Sequence, residues 1–127
     1  MFAVKIYLKN TTDKGIGVFA KEKIKKGQLI WEFVEGLDIK IHEDTLKKIK
    51  LKDCQLDFIK TYFWKEGEYF YSSCDHSVFQ NHSTKPNSIP DGENMVANRD
   101  IEPDEEITVD YSFFDDDYSL YKDDLLD

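Results

Sequence analysis

Residues 81–87 read Asn-His-Ser-Thr-Lys-Pro-Asn, and nearly every side chain in the stretch can make a directed hydrogen bond. Pro86 fixes its own φ and turns Lys85 away from helix, so Pro86-Asn87 reads as a turn. Val78 and Phe79 before the stretch and Ile89 after it are apolar anchors. A polar loop between such anchors is either a surface turn or a hydrogen-bonded site, and a site needs partners elsewhere in the chain. Two are available: Gly15-Ile16-Gly17-Val18-Phe19 near the start and Glu105-Glu106-Ile107-Thr108-Val109-Asp110-Tyr111 near the end. Gly15-Ile16-Gly17 alone marks a turn or bulge, and it is no dinucleotide fingerprint, because the third glycine is missing and a strand follows. Asp75, His76 and His82 fit no standard metal spacing, so no metal is expected; a metal-dependent hydrolase built on those three is the least favoured reading.

The elements that would position these stretches are short. Ala3–Lys9 alternates, with Val4, Ile6 and Leu8 on one face, and reads as a half-buried strand. Gly15–Ala20 reads as a second strand. Gln28–Val34 is dense enough in apolar residues to suggest a strand buried on both faces. Between 44 and 64 the period becomes helical, with Asp44 or Thr45 as cap and one broken helix or two short ones, Lys47, Lys48, Lys50 and Lys52 on the wet side. Tyr69–Cys74, Asn94–Ala97 and Glu106–Val109 read as strands. Pro90-Asp91-Gly92 and Glu102-Pro103-Asp104-Glu105 read as turns. In 115–127, six Asp and one Lys surround Tyr118, Tyr121 and Leu125, a spacing that suits a short amphipathic helix as well as a frayed acidic tail.

At 127 residues the expectation is one domain, core about 3–115, with 116–127 an acidic aromatic tail that caps a site or joins a dimer. A chain of this size folds without metal or disulfide, and Cys54 and Cys74 are expected to be reduced core thiols. There is no membrane span and no signal peptide, so the expectation is a soluble intracellular protein. The net charge of −9 is uneven: residues 1–60 carry 13 Lys against 9 acids, while residues 61–127 carry 4 basic residues against 17 acids. That second half argues against direct nucleic-acid binding and suits a basic protein partner.

Taken together the three stretches resemble the SET-domain family of protein-lysine methyltransferases, whose pattern is a Gly-x-Gly, an Asn-His-Ser-x-x-Pro-Asn loop and a Gly-Glu-Glu-hydrophobic-Thr-x-Asp-Tyr segment, in that order. Ile24–Phe33 and Ala97–Ile101 carry weaker echoes. The resemblance implies a mainly β (α+β) SET fold: short strands in small curved sheets of the β-clip kind, a C-terminal pseudoknot and one short helical insert. It implies S-adenosylmethionine as cofactor, S-adenosylhomocysteine as product, and transfer of a methyl group to a lysine ε-amine. By resemblance Lys14, Gly15, Ile16, Gly17, Asn81, His82 and Tyr111 hold the cofactor, and Tyr111 carries the chemistry. Tyr69, Tyr71, Phe113, Phe114 and Tyr118 are candidate walls of the substrate channel, although aromatic residues taken singly are more often core.

Three departures from the pattern matter: Asp104 replaces the glycine before Glu-Glu, Val78 stands where many members carry Arg, and no Cys-rich segment follows Tyr111. The implied substrate is a basic lysine-containing protein, a histone tail being the family's commonest target. The expected location is cytoplasmic, or nuclear and chromatin-associated if the substrate is a histone, and the chain is a monomer or homodimer. The alternative is a catalytically inactive SET-fold module that binds a peptide or partner.

Overall fold

The computed structural model describes residues 1–114. In chain order the elements are β1 (Ile6–Asn10), β2 (Ile16–Ala20), β3 (Leu29–Trp31), β4 (Ile39–His42), α1 (Glu43–Lys47), α2 (Asp53–Tyr62), β5 (Trp64–Glu66) and β6 (Tyr69–Ser72). A 3-10 turn (His76–Phe79), β7 (Asn81–His82), β8 (Ser88–Asp91), β9 (Asn94–Ala97), β10 (Thr108–Val109) and a second 3-10 turn (Tyr111–Phe113) complete them. Among the described residues the strands form four small sheets, β1-β2, β3-β9-β8, β4-β6-β5 and β10-β7, of which only the last pair is parallel. This is the mainly β architecture with a helical insert that the resemblance implied.

The main core gathers one face of several of these sheets. Val18, Ala20, Ile30, Trp31, Met95, Ala97, Ile101, Ile107 and Val109 are buried together, with Val4, Ile6 and Leu8 packed against them. A second, smaller core serves the insert: Leu46 and Phe70, with Ile41, Leu51, Ile59 and Phe63 around them. The insert therefore has an apolar centre of its own, which lets it stand beside the main sheets.

Several expectations shift. The strand expected over Gln28–Val34 shrinks to Leu29–Trp31, and its register shifts between those two residues. The apolar density had a different cause. Ile30 and Trp31 fill the core, while Trp31 and Phe33 also line a cleft described below. Strand β1 begins at Ile6 rather than Ala3, and Tyr69–Cys74 ends as a strand at Ser72. His42, not Asp44 or Thr45, caps α1, its Nδ1 accepting from Asp44 N at 3.1 Å. β8 runs through Pro90 and Asp91, so the hairpin turns at Gly92 (φ +61°) and Glu93 instead. Cys54 and Cys74 are exposed, not core thiols. Cys54 sits on the wet side of α2, whose buried residue is Leu56.

Asp104 explains its own departure from the family pattern. Its φ is +68°, the left-handed region that favours glycine, at the third position of the turn closed by Glu105 N donating to Glu102 O at 3.1 Å. Tyr7 Oη donates to the Asp104 carboxylate at 2.8 Å, and Asp is among the few side chains that tolerate this backbone. No helix among the described residues is long and apolar enough to cross a membrane.

Candidate functional site

The C-terminal segment draws the three polar stretches together. On one side Ile107 N donates to Val18 O (2.8 Å), Ala20 N to Glu105 O (2.9 Å) and Asp104 N to Ala20 O (2.7 Å). On the other side β10 lies parallel to β7, Thr108 opposite Asn81 and Val109 opposite His82, and Ser83 N donates to Val109 O at 3.0 Å. The segment is thus held between β2 and the loop at 81–87. Asn87, 1% exposed, rivets the join: its Nδ2 donates to Glu106 O (2.7 Å) and Glu105 Oε2 (3.1 Å), and its Oδ1 accepts from Thr108 N (2.9 Å).

The loop before β2 lies against this join. Gly15 has φ +72°, and nothing stands within 4 Å of where a Cβ would be, so the backbone there is open. Thr11 shapes the turn, its N and Oγ1 both donating to Gly15 O and its Oγ1 accepting from Lys14 N. Gly17 is the opposite case: a Cβ would lie 2.7 Å from Glu106 Oε2, 2.9 Å from Thr11 Cγ2 and 3.1 Å from Asn81 Nδ2. Gly17→Ala is expected to cost about 1–2 kcal/mol of stability through this crowding. Urea unfolding would show it as an earlier midpoint, and an unmoved midpoint would mean that the three neighbours yield freely.

Two bonds tie this loop to the Asn-His pair. Lys14 Nζ donates to His82 O at 2.9 Å, and Asn81 Nδ2 reaches both Ile16 O (3.2 Å) and Glu106 Oε2 (2.9 Å). His82 continues the chain of contacts. Its Nδ1 accepts from Tyr111 N at 3.0 Å, which fixes that nitrogen as the unprotonated one, and its ring lies 5.2 Å from the Tyr111 ring at 49°. Tyr111 in turn donates its hydroxyl to Gln80 O at 2.7 Å. Burial, and after it the charge of Glu106, pushes the Tyr111 hydroxyl above the ordinary tyrosine range, so it stays protonated at neutral pH.

On the far side of Tyr111 opens a cleft of about 960 Å³. Tyr71, Phe113 and Phe114 line it, with Trp31, Phe33 and Trp64. The rings support one another: Trp64 stacks on Tyr71 at 5.9 Å, Phe33 meets Tyr71 edge-on at 5.9 Å, and Phe114 lies 5.8 Å from Trp64. Tyr69 is not part of that lining. It is two residues along β6, outside the cleft, with Lys40 Nζ 4.5 Å above its ring. Tyr118 lies outside the described residues. Residues 14–17, 81, 82 and 111 are brought together; Tyr71, Phe113 and Phe114 face the adjoining cleft; Tyr69 joins neither group.

Sequence reasoning passed over Gln80, Glu106 and Trp64. Glu106 was legible as part of a motif, but its contact with Gly17 and Asn81 was not. Asp75 is engaged by Phe2 N (2.8 Å) and Ser77 Oγ (2.7 Å), and among the described residues no group of three His, Cys, Asp or Glu side chains could hold a metal ion.

Comparison with known proteins bears on the family and the fold. The profile of the SET domain matches residues 15–112. A "Variant-silencing SET domain-containing protein" of Plasmodium falciparum (isolate 3D7) is 32% identical over 125 residues, covering 88% of this chain and 5% of its own length. ASHH4 of Arabidopsis thaliana, named for histone-lysine N-methyltransferase activity, is 33% identical over 118 residues, covering 86% of this chain and 34% of its own. The chain therefore spans only a small part of the first relative and about a third of the second. An apo PRC2 structure containing Ezh2 superposes with a TM-score of 0.72 over 94% of this chain and 16% of that one; at 20% identity the likeness is one of fold.

Proposed function

Since the chain belongs to the SET-domain family, we propose that it transfers a methyl group from S-adenosylmethionine to the ε-amine of a lysine in a basic protein, a histone tail being the first substrate to try. The observation that carries this reading is the position of Tyr111. It touches the polar cluster through its backbone and ring, and it borders the aromatic cleft with its side chain. A reaction between a molecule in the cluster and a side chain in the cleft would take place there.

The residues present fit the cofactor. Gly15 leaves the loop backbone open to a ligand, Lys14 supplies a cation for a carboxylate, and the Asn81 Oδ1 and Glu106 carboxylate supply acceptors for an ammonium. The His82 and Tyr111 rings offer a flat face to a purine. When bound, the cofactor supplies an electrophilic methyl group on sulfonium sulfur.

The protein must do the rest. A lysine of pKa about 10.4 is neutral only about once in a few thousand at pH 7, equivalent to roughly 4–5 kcal/mol. The aromatic walls of the cleft reduce that cost by desolvating the ammonium, which then loses its proton to water. Because the Tyr111 hydroxyl gives its hydrogen to Gln80 O, its lone pairs are left to accept from the incoming amine and aim it. The acidic second half of the sequence favours a basic protein as the partner that enters.

The test is incubation of the chain with core histones and with ribosomal proteins in the presence of radiolabelled S-adenosylmethionine, from pH 7 to 10. Label on lysine is expected to rise with pH as the substrate amine neutralises. The Tyr111 hydroxyl, held above its ordinary range, contributes no falling limb below about pH 10. Cofactor binding without any labelled protein would favour the non-catalytic binding module; absence of cofactor binding would refute the assignment of the cluster.

A further inference from the structure

Gln80 has an ordered backbone and a side chain with nothing to do. Its N–H donates to Ser77 O at 3.1 Å and its carbonyl takes the Tyr111 hydroxyl. Its side chain lines the aromatic cleft, and its Nε2 is buried with no hydrogen-bond partner among the described residues. A buried amide nitrogen without a partner is a rare and costly feature, which calls for a guest or a function. Rotation of the terminal amide exchanges its nitrogen and oxygen, so the cleft can be shown an acceptor as readily as a donor.

The direction of the side chain adds to this. The backbone at Gln80 is extended (φ −61°, ψ 127°) and runs directly into β7. Successive side chains of an extended chain point to opposite sides. Asn81 accordingly turns to Ile16 and Glu106, in the cluster assigned to the cofactor, while Gln80 turns into the cleft assigned to the substrate. Tyr111 stands at the boundary between the two.

We propose that the Gln80 carboxamide oxygen accepts one N–H of the target amine while the Tyr111 oxygen accepts the other, and that this pair of acceptors limits transfer to the first methyl group. The proposal rests on the methyl-transfer reading above. In the first transfer the amine lone pair forms the new N–C bond as the methyl carbon's bond to sulfur breaks, its electron pair remaining on sulfur, which becomes neutral. The resulting secondary ammonium releases a proton to water. The amine then has a single N–H for two acceptors, and its methyl group must pack against whichever acceptor is left unpaired, so the second transfer is disfavoured.

The variants that test this are Gln80→Leu, which keeps the bulk and removes the polar atoms, and Gln80→Glu, which keeps an acceptor. The probe is a peptide spanning the lysine labelled in the histone and ribosomal-protein assay, synthesised with that lysine unmodified and monomethylated. For the wild type kcat/KM is expected to favour the unmodified peptide by at least roughly tenfold, the value of one well-placed hydrogen bond, with mass spectrometry finding one methyl group. Gln80→Leu is expected to bring the ratio near one and to yield two and three methyl groups; Gln80→Glu is expected to keep the preference. Peptide affinities measured by calorimetry without cofactor should follow the same order. If Gln80→Leu does not fold, Gln80→Met takes its place.

A Gln80→Leu enzyme that keeps both the preference and the single methyl group would overturn the proposal, as would a wild type that adds three. A wild type that labels no lysine in either protein set sinks the methyl-transfer reading itself, and this proposal with it.

Discussion

Replacing Tyr111 with phenylalanine is expected to cut single-turnover methyl transfer by about a hundred- to a thousand-fold, equivalent to roughly 3–4 kcal/mol of barrier. The expectation rests on the separateness of that hydroxyl from the fold. Tyr111 is 47% exposed, and among the described residues its hydroxyl makes one hydrogen bond, to Gln80 O. Losing that bond costs about 1 kcal/mol of stability at most, because water can replace the donor at a partly exposed carbonyl. The backbone bond from Tyr111 N to His82 Nδ1 survives the substitution, as does the ring packing against His82. Rate and stability should therefore separate. Rapid-quench transfer measured beside circular-dichroism melting distinguishes them, and a variant that turns over at the wild-type rate would show that the hydroxyl takes no part.

The converse separation is expected at Asn87. Its side chain touches nothing in the cleft, yet Asn87→Ala should cost about 3 kcal/mol and lower the melting temperature by roughly 10 °C. The substitution strips three bonds from one junction: Thr108 N loses its acceptor, and Glu106 O and Glu105 Oε2 lose a donor. At 1% exposure water does not enter to replace them without a cavity. Glu105 is affected further. Burial pulls its carboxyl upward, but bonds from Arg99 and Asn87 overcome that and hold it below the usual carboxylate range. Without Asn87 part of that hold is gone. Asn87→Asp should fare no better, since it keeps the acceptor but sets a second carboxylate beside Glu105. Thermal melts of both variants provide the check; a fall of less than about 3 °C for Asn87→Ala would mean that the junction closes without its amide.

The comparison of these two positions shows what was legible in the sequence. Asn81, Asn87 and Tyr111 could be marked from residue type and spacing, because polar groups grouped between apolar anchors need partners and the chain holds only a few candidates. Which does what was not legible from residue type and spacing; only the family resemblance set Asn81 and Tyr111 apart from Asn87. Asn87 is a structural rivet and Asn81 a member of the cluster, though both are amides in one seven-residue stretch. Asp104 was marked only as a missing glycine; its positive φ and its tie to Tyr7 required the fold. Tyr69 and Tyr71 share a face of β6 by alternation, but alternation does not say where a cleft stops, and Tyr71 alone lines it. Gln80 gave no signal. A glutamine between Phe79 and Asn81 looks like an ordinary strand residue until its amide nitrogen is found buried and without a partner among the described residues. The cysteines were misjudged because a residue type that is buried on average carries no information about a particular helix face.

The parallel pairing of β7 with β10 also has a consequence for synthesis. Lys14 meets His82, Ile16 meets Asn81, and Val18 waits for Ile107, so the cluster is closed by contacts that span about 65 to 90 residues of sequence. A ribosome delivers these pieces in the order 14–20, 81–87, 104–111. When the first two have emerged, β2 and β7 still lack the strand that lies between them, and their backbone groups remain open to pairing with any other extended chain nearby. Pairing over such separations is slow, because the loop must be closed before the contact stabilises it. The arrival of Glu105–Tyr111 thus ends the exposed interval and completes the site in the same step. A nascent chain acquires its protection from misassembly and its assembled polar cluster together.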